Sequence, residues 1–294
     1  MILLYHRVTR LRSDPHGIAV APDRFAAHLE WLNARYSPVP FSEVVAGLDN
    51  GLEAGTVALT FDDGYADNLG EAKPLLEAAG VPATVFISTG RLDGRREFWW
   101  DELEQLLLTP VGLPRCFAQT IAGLRLEAHL VSDSAREALF AELLRLLRRI
   151  EGDARDRLID GLWEWAGRAP EVRESHRPLD AAGVAELVEG GLVDVGAHTV
   201  SHPGLSRLSR AARSSEIGDS RRDLEAIIDR PVLDFAYPFG DRRGSRAVLK
   251  RCGIRSACTT RPGRIAAGID PYRLPRIRVG DWDVATLART LEST

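Results

Sequence analysis

The feature that most constrains this chain is the step from Phe61 to Gly64. Residues 56–61, Thr-Val-Ala-Leu-Thr-Phe, form an apolar, β-branched run bounded upstream by Gly55, which predicts a buried strand. Asp62 and Asp63 follow, and Gly64 lets the backbone turn sharply. Two adjacent carboxylates therefore stand at the C-terminal end of a central strand, where α/β folds place their sites. Like charges so placed cost free energy unless a cation or a proton is shared between them. For the tripeptide taken alone, a solvated Asp-Asp-Gly turn is the alternative.

The surrounding pattern is that of βαβ units. Residues 2–6, Ile-Leu-Leu-Tyr-His, predict a short buried strand with His6 at its end. A helix is expected from Pro22 to Arg35, another over 68–79 closed by Gly80, and a strand over 82–88. Strand, helix and strand at this length imply a parallel sheet. The rhythm breaks between about 95 and 178, where helical patterns such as 132–150 dominate and suggest a helical insertion. It resumes with strands expected near 192–195, 232–237, 254–259 and 276–279, and helices over 211–228, 245–251 and 284–291. One domain covering 1–294 is the expected organisation.

A second informative stretch is Asp194-Val195-Gly196-Ala197-His198-Thr199-Val200-Ser201-His202-Pro203. His198 and His202 are four apart, but Thr199 replaces the glutamate of H-E-x-x-H, and Gly196 and Pro203 disfavour a plain helix. Two imidazoles on a strand-to-loop corner can still converge on one cation. With an aspartate from another strand end they leave coordination positions open for water and substrate, the layout of a hydrolytic metal site. The second carboxylate is then free to act as base. A structural role for the histidine pair is the alternative.

Thr60-Phe61-Asp62-Asp63-Gly64, the His198 to Pro203 stretch and Phe235-Ala236-Tyr237-Pro238-Phe239-Gly240 resemble the motifs of polysaccharide deacetylases, the NodB-homology or family-4 carbohydrate esterases. The resemblance implies an α/β fold, a distorted (β/α) barrel of the NodB-homology type with a helical insertion. It also implies removal of N-acetyl groups from an N-acetylated glycan or precursor with one divalent metal. Zinc is the first expectation for that ion, with Co2+, Ni2+, Fe2+ or Mn2+ as alternatives. Carried over residue by residue, Asp62 is the base and Asp63, His198 and His202 are the metal ligands. Tyr237 and the backbone N–H of Phe239 belong to the groove and the oxyanion site.

The chain departs from the family pattern in two places. No histidine occurs near the C-terminus, where a Leu-x-His motif usually supplies the general acid. Leu4-Tyr5-His6-Arg7-Val8 instead resembles the N-terminal strand of circularly permuted members, which makes His6 the candidate acid. Of the remaining histidines, His28 falls in a helix, His129 and His176 in the insertion, and His16 in a loop between Pro15 and Gly17. The arginine that usually leads the third motif is also missing, and Arg276 is the candidate replacement to hold the base carboxylate. Trp99, Trp100 and Trp282 offer planar faces on which a sugar could stack.

Composition excludes some partners. The formal net charge of −4 gives no case for nucleic acid or an anionic membrane as a main partner. No apolar stretch approaches the roughly 20 residues of a transmembrane helix, and the first residues do not form a signal peptide, so a cytoplasmic location is expected. Cys116, Cys252 and Cys258 form no C-x-x-C pair and are expected as reduced structural thiols. An amidase acting on a small non-sugar amide and an inactive glycan-binding protein are the competing functions.

Overall fold

The computed structural model describes residues 1–109 and 112–293; residues 110 and 111, within the expected insertion, lie outside the described residues. The strands are β1 (Ile2–Tyr5), β2 (Arg7–Val8), β3 (Ala19–Val20), β4 (Ser37–Pro38), β5 (Thr56–Phe61) and β6 (Ala83–Ile87). They continue as β7 (Cys116–Ile121), β8 (Leu124–His129), β9 (Val193–Ala197), β10 (Asp234–Ala236), β11 (Ser256–Cys258) and β12 (Ile277–Arg278). A parallel sheet in the order β11-β10-β9-β6-β5-β1-β12, with β4 beside β5, curls into a distorted (β/α) barrel. Its ends approach through a parallel bridge between Cys258 and Leu274, just upstream of β12.

Strand alternation divides the side chains between two environments. Leu3, Tyr5, Leu59, Phe61, Val85, Val195, Phe235 and Tyr237 belong to the large core that also holds helix residues such as Phe25, Leu29 and Leu224. Ile2, Ala58, Phe86, Ala236, Cys258 and Leu274 form a second cluster on the other face, inside the barrel. Gly196 is required there, because a Cβ would stand 2.4 Å from the Phe86 ring. Pairing of Leu4 with Thr60 and of Tyr5 with Phe61 sets the register of the two strands that matter most. The bond from the Asp62 N–H to the Tyr5 carbonyl, 3.1 Å, continues it, bringing His6 and Asp62 out side by side.

The helix Pro22–Arg35 begins with proline in its first turn and carries Phe25, Leu29 and Leu32 on its buried face. The helix expected over 68–79 is interrupted. Asn68–Ala72 is a π turn and Lys73–Ala79 is α, because Pro74 has no N–H to bond back into the preceding turn. Gly80, at φ 63°, closes it.

The insertion has its own core, built on Trp99, Leu103, Phe117, Phe140, Leu143 and Trp163. The expected helical insertion is not wholly helical: it contains the antiparallel hairpin of β7 and β8. Ala122 and Gly123 both have positive φ, 52° and 80°, the two-residue turn that matches the twist of paired strands. The helix Trp99–Leu107 is buried on every side, including Asp101, Glu102 and Glu104. Its carboxylates are matched: Arg173, which also meets Glu97 just before the helix, meets Glu104, Arg96 meets Glu102, and Tyr65 donates to Asp101 at 2.7 Å. Without such partners, buried charges would cost several kcal/mol each, by rough estimate. Cys258 is a buried free thiol, whereas Cys116 is exposed.

Candidate active site

The C-terminal ends of β1, β5, β9 and β12 open into one cavity of about 530 Å³, within the range of about 300–1,000 Å³ typical of small-molecule sites. Leu4, His6, Asp62, Asp63, His198, His202, Phe239 and Arg278 line it from the barrel, and Trp99, Trp100, Leu144 and Arg148 from the insertion.

Asp62 continues the inward face of β5, two residues after Thr60. Asp63 would point the opposite way if the strand went on, but its φ of 74° ends the extension and turns the carboxylate to the same mouth. Four of the six non-glycine residues with positive φ among those described are Asp63, Thr199, His202 and Phe239, all in or beside this cavity. Such backbone costs of order 1–3 kcal/mol per residue and persists where the surroundings enforce it. The Thr199 hydroxyl accepts the His202 N–H at 3.0 Å, and Glu216 accepts the Val200 and Ser201 N–H groups at 2.9 Å each, which fixes the loop.

Three donor atoms converge. Asp63 Oδ1 lies 3.5 Å from His198 Nε2 and 3.3 Å from His202 Nε2, and the two Nε2 atoms are 3.1 Å apart. Ligands about 2.1 Å from a tetrahedral cation stand about 3.4 Å from one another, so the triangle has the size of a metal site. The chemistry agrees. His198 Nδ1 donates to the Ala236 carbonyl at 2.8 Å, so its Nε2 presents a lone pair to the centre. The His202 ring is held between Trp100 and Phe239, at centroid distances of 4.7 and 4.6 Å. Burial pushes Asp63 up, but the two imidazoles beside it outweigh that and hold the carboxyl well below its usual range. Burial lowers His202 to about 4, whereas His198 is raised because Asp62 and Asp63 outweigh its burial.

Arg276 is fully buried beneath the cavity. It meets Asp62 through two hydrogen bonds of 2.6 Å, and also donates to the Thr60 hydroxyl at 3.2 Å and the Thr259 carbonyl at 3.0 Å. Burial raises Asp62, but Arg276 and His198 outweigh it, so the carboxyl lies below its ordinary value and is ionised at neutral pH. His6 faces both carboxylates. Burial holds it below its ordinary value, and the upward pull of Asp63 and Asp62 does not outweigh that.

Two expected site residues lie elsewhere. Tyr237 points away from the barrel interior, on the same face as Phe235, and its hydroxyl donates to the Tyr272 carbonyl at 3.1 Å. Trp282 packs against the outer core, and its carbonyl bonds His28 Nε2 at 2.9 Å, beside the first helix. Neither lines the cavity. His16, a loop residue in the sequence, does line it, with a buried Nε2 that has no hydrogen-bond partner among the described residues. Arg148 joins it from beyond the helix Asp133–Leu147. Only the tertiary fold brings these two in, and no local signal in the sequence marks them.

The profile of the polysaccharide deacetylase family matches residues 49–111 and 162–257. The gap falls inside the insertion, while the matched segments carry Asp62, Asp63, His198 and His202. YxkH of Bacillus subtilis (strain 168), which carries the same family description, is 22% identical over 284 residues, covering 95% of this chain and 70% of its own. Among solved structures, the deacetylase PplD of Streptococcus pyogenes superposes with a TM-score of 0.64 at 20% identity, covering 98% of this chain and 96% of its own. IcaB from Ammonifex degensii superposes with a TM-score of 0.62 at 19% identity, over 95% and 90%. With more than half of its length matched by the profile, the chain belongs to the polysaccharide deacetylase family.

Proposed function

We propose that the protein is a metal-dependent hydrolase that removes N-acetyl groups from an N-acetylated glycan or glycan precursor, giving acetate and a free amino sugar. The observation that carries the proposal is the placement of the Asp63–His198–His202 triangle beside an Asp62 fixed by Arg276, in one cavity. Asp63, His198 and His202 would hold one divalent cation. Two nitrogens and a carboxylate oxygen suit zinc first among the available ions. When bound, such an ion supplies Lewis-acid polarisation and acidifies water.

The chain's own residues then have distinct tasks. Asp62, ionised and unable to rotate away from Arg276, accepts the proton of the attacking water. The Phe239 N–H, on a turn that projects into the cavity, is the donor for the developing oxyanion. His6 gives a proton to the departing sugar nitrogen, which is otherwise too basic to leave. Trp99 and Trp100, from the insertion, wall the cavity and narrow the access of bulk water. Purified protein loaded with zinc is expected to release acetate from one or more members of a panel of N-acetylated saccharides. Absence of acetate from every member, with the metal shown to be bound, would refute the assignment.

A further inference from the structure

Two arginines line the cavity, Arg148 from the insertion and Arg278 from the barrel, and neither meets a carboxylate among the described residues. Arg148 has its guanidinium carbon 4.9 Å above the Phe239 ring, and makes no ion pair and no side-chain hydrogen bond among the described residues. Arg278 donates to the carbonyls of His16 and Gly17, at 2.9 and 2.6 Å, and likewise meets no carboxylate among the described residues. In the same insertion Arg173 and Arg96 each hold two carboxylates. Partial burial without a counter-ion lowers Arg148 from the ordinary arginine value. A cation at a helix C-terminus would find favour with the helix dipole alone, but that does not draw its guanidinium over Phe239.

Strand alternation explains Arg278. Arg276, just before β12, and Arg278, at its end, are two residues apart and so fall on the same side of the chain. The first is engaged by Asp62 on the cavity floor; the second stands one step nearer the mouth. The carboxylates that line the cavity are Asp62 and Asp63. One is neutralised by Arg276 and the other belongs to the donor triangle. A protein of net charge −4 thus presents a cavity whose free charges are cations. Both guanidinium groups are solvent-accessible; a neutral saccharide seated over them would strip their water without supplying a charge, whereas a phosphate or carboxylate would meet charge-assisted hydrogen bonds.

We propose that the substrate is an anionic saccharide, in which a phosphate or carboxylate close to the acetamido sugar is bound by Arg148 and Arg278. The proposal rests on the deacetylase reading of the same cavity. Low dielectric walls would also focus the field of the two cations on an approaching anion.

The test compares acetate release from N,N′-diacetylchitobiose, N-acetylglucosamine 1-phosphate and a disaccharide of N-acetylglucosamine with glucuronic acid, using zinc-loaded protein. At least one anionic substrate is expected to exceed the neutral one in kcat/KM by about tenfold or more, the scale of one charge-assisted hydrogen bond. The better of the two identifies the anion, and the advantage should shrink as salt is raised. Arg148→Gln and Arg278→Gln should each erode the anionic substrate's advantage severalfold, chiefly through KM, with Arg148→Lys recovering part of it. Equal turnover of neutral and anionic substrates, or equal losses on both, would overturn the anion site and leave the deacetylase reading standing. Calorimetric binding of glucosamine 1-phosphate against glucosamine separates the converse case. Arginine-dependent preference for the phosphate, with no acetate from any substrate, would retire the deacetylase reading and keep the anion site.

Discussion

Arg276 grips Asp62 with two parallel hydrogen bonds, Nη1 to Oδ1 and Nη2 to Oδ2, each 2.6 Å long, with both side chains sealed from solvent. The pair joins β5 to the segment leading into β12, strands separated in the sheet by β1. One contact therefore both fixes the Asp62 carboxylate and ties β5 to the segment entering β12 across the intervening β1.

Replacing Arg276 by Met should strand a buried carboxylate, with a loss of about 3–5 kcal/mol in unfolding free energy. Denaturant titration at constant m-value measures it. The Asp62→Asn/Arg276→Met double variant should lose less than the single Arg276→Met variant, since no charge is left unpaired. A single-variant loss under about 1 kcal/mol would mean that water reaches Asp62 and compensates it.

Removal of metal is expected to lower thermal stability in a way that free zinc reverses. At a zinc concentration 100 times its dissociation constant the gain is about 2.7 kcal/mol. Asp63→Ala and His202→Ala should abolish both the stabilisation and the stoichiometric uptake of one ion, whereas Asp62→Asn should retain the ion and lose turnover by about 10²–10⁴-fold. Loss of the ion in Asp62→Asn would mean that the two aspartates share or exchange roles.

His6→Ala separates proton donation from architecture. Metal content should be unchanged, and hydrolysis of an N-acetyl amide should fall by about 10²–10⁴-fold. An activated ester, whose leaving group needs no proton, should be affected far less. Equal losses on both substrates would assign His6 a structural role.

His176 makes a pH prediction. Burial, followed by the nearby Arg173 and Arg7, lowers it from 6.5 to about 3. The folded value lies below the unfolded one, so on acidification the unfolded chain takes up the proton first. Stability is complete above pH 6.5 and declines from there toward about pH 3. His176→Asn should flatten that decline in urea midpoints measured across the window. An unchanged slope would show that His176 is as free to protonate in the fold as out of it.

What could be read from the sequence was what local chemistry writes there. Asp62, His6 and His198 each follow an apolar strand, so position along the strand was enough to aim them at one mouth. Tyr237 also ends a strand, but alternation from the inward Ala236 turns it outward, and no motif reports that parity. Trp282 is a candidate by its ring alone, and the first helix, whose His28 holds its carbonyl, keeps it away from the cavity. The β7–β8 hairpin does not stand out in the sequence, although Ala122-Gly123 marks a turn and Phe117, Gln119 and Ile121 alternate in burial. Its short strands were outweighed by the helices on either side. His16 and Arg148 reach the cavity from segments more than 130 residues apart in sequence, a distance that no periodicity spans.

The placement of β1 between β5 and β12 has a consequence for how the molecule comes into being. During synthesis the first strand must wait, with β5 on one flank and the other flank bare, until residues 277 and 278 leave the ribosome and pair with Leu3 and Leu4. Contacts of such long sequence separation form slowly, because the chain between must be gathered first. Until then Asp62 has no Arg276 to hold it. A nascent or prematurely terminated chain would thus expose an open strand edge and leave Asp62 without its Arg276 partner, so the site and the sheet edge are completed by the same segment.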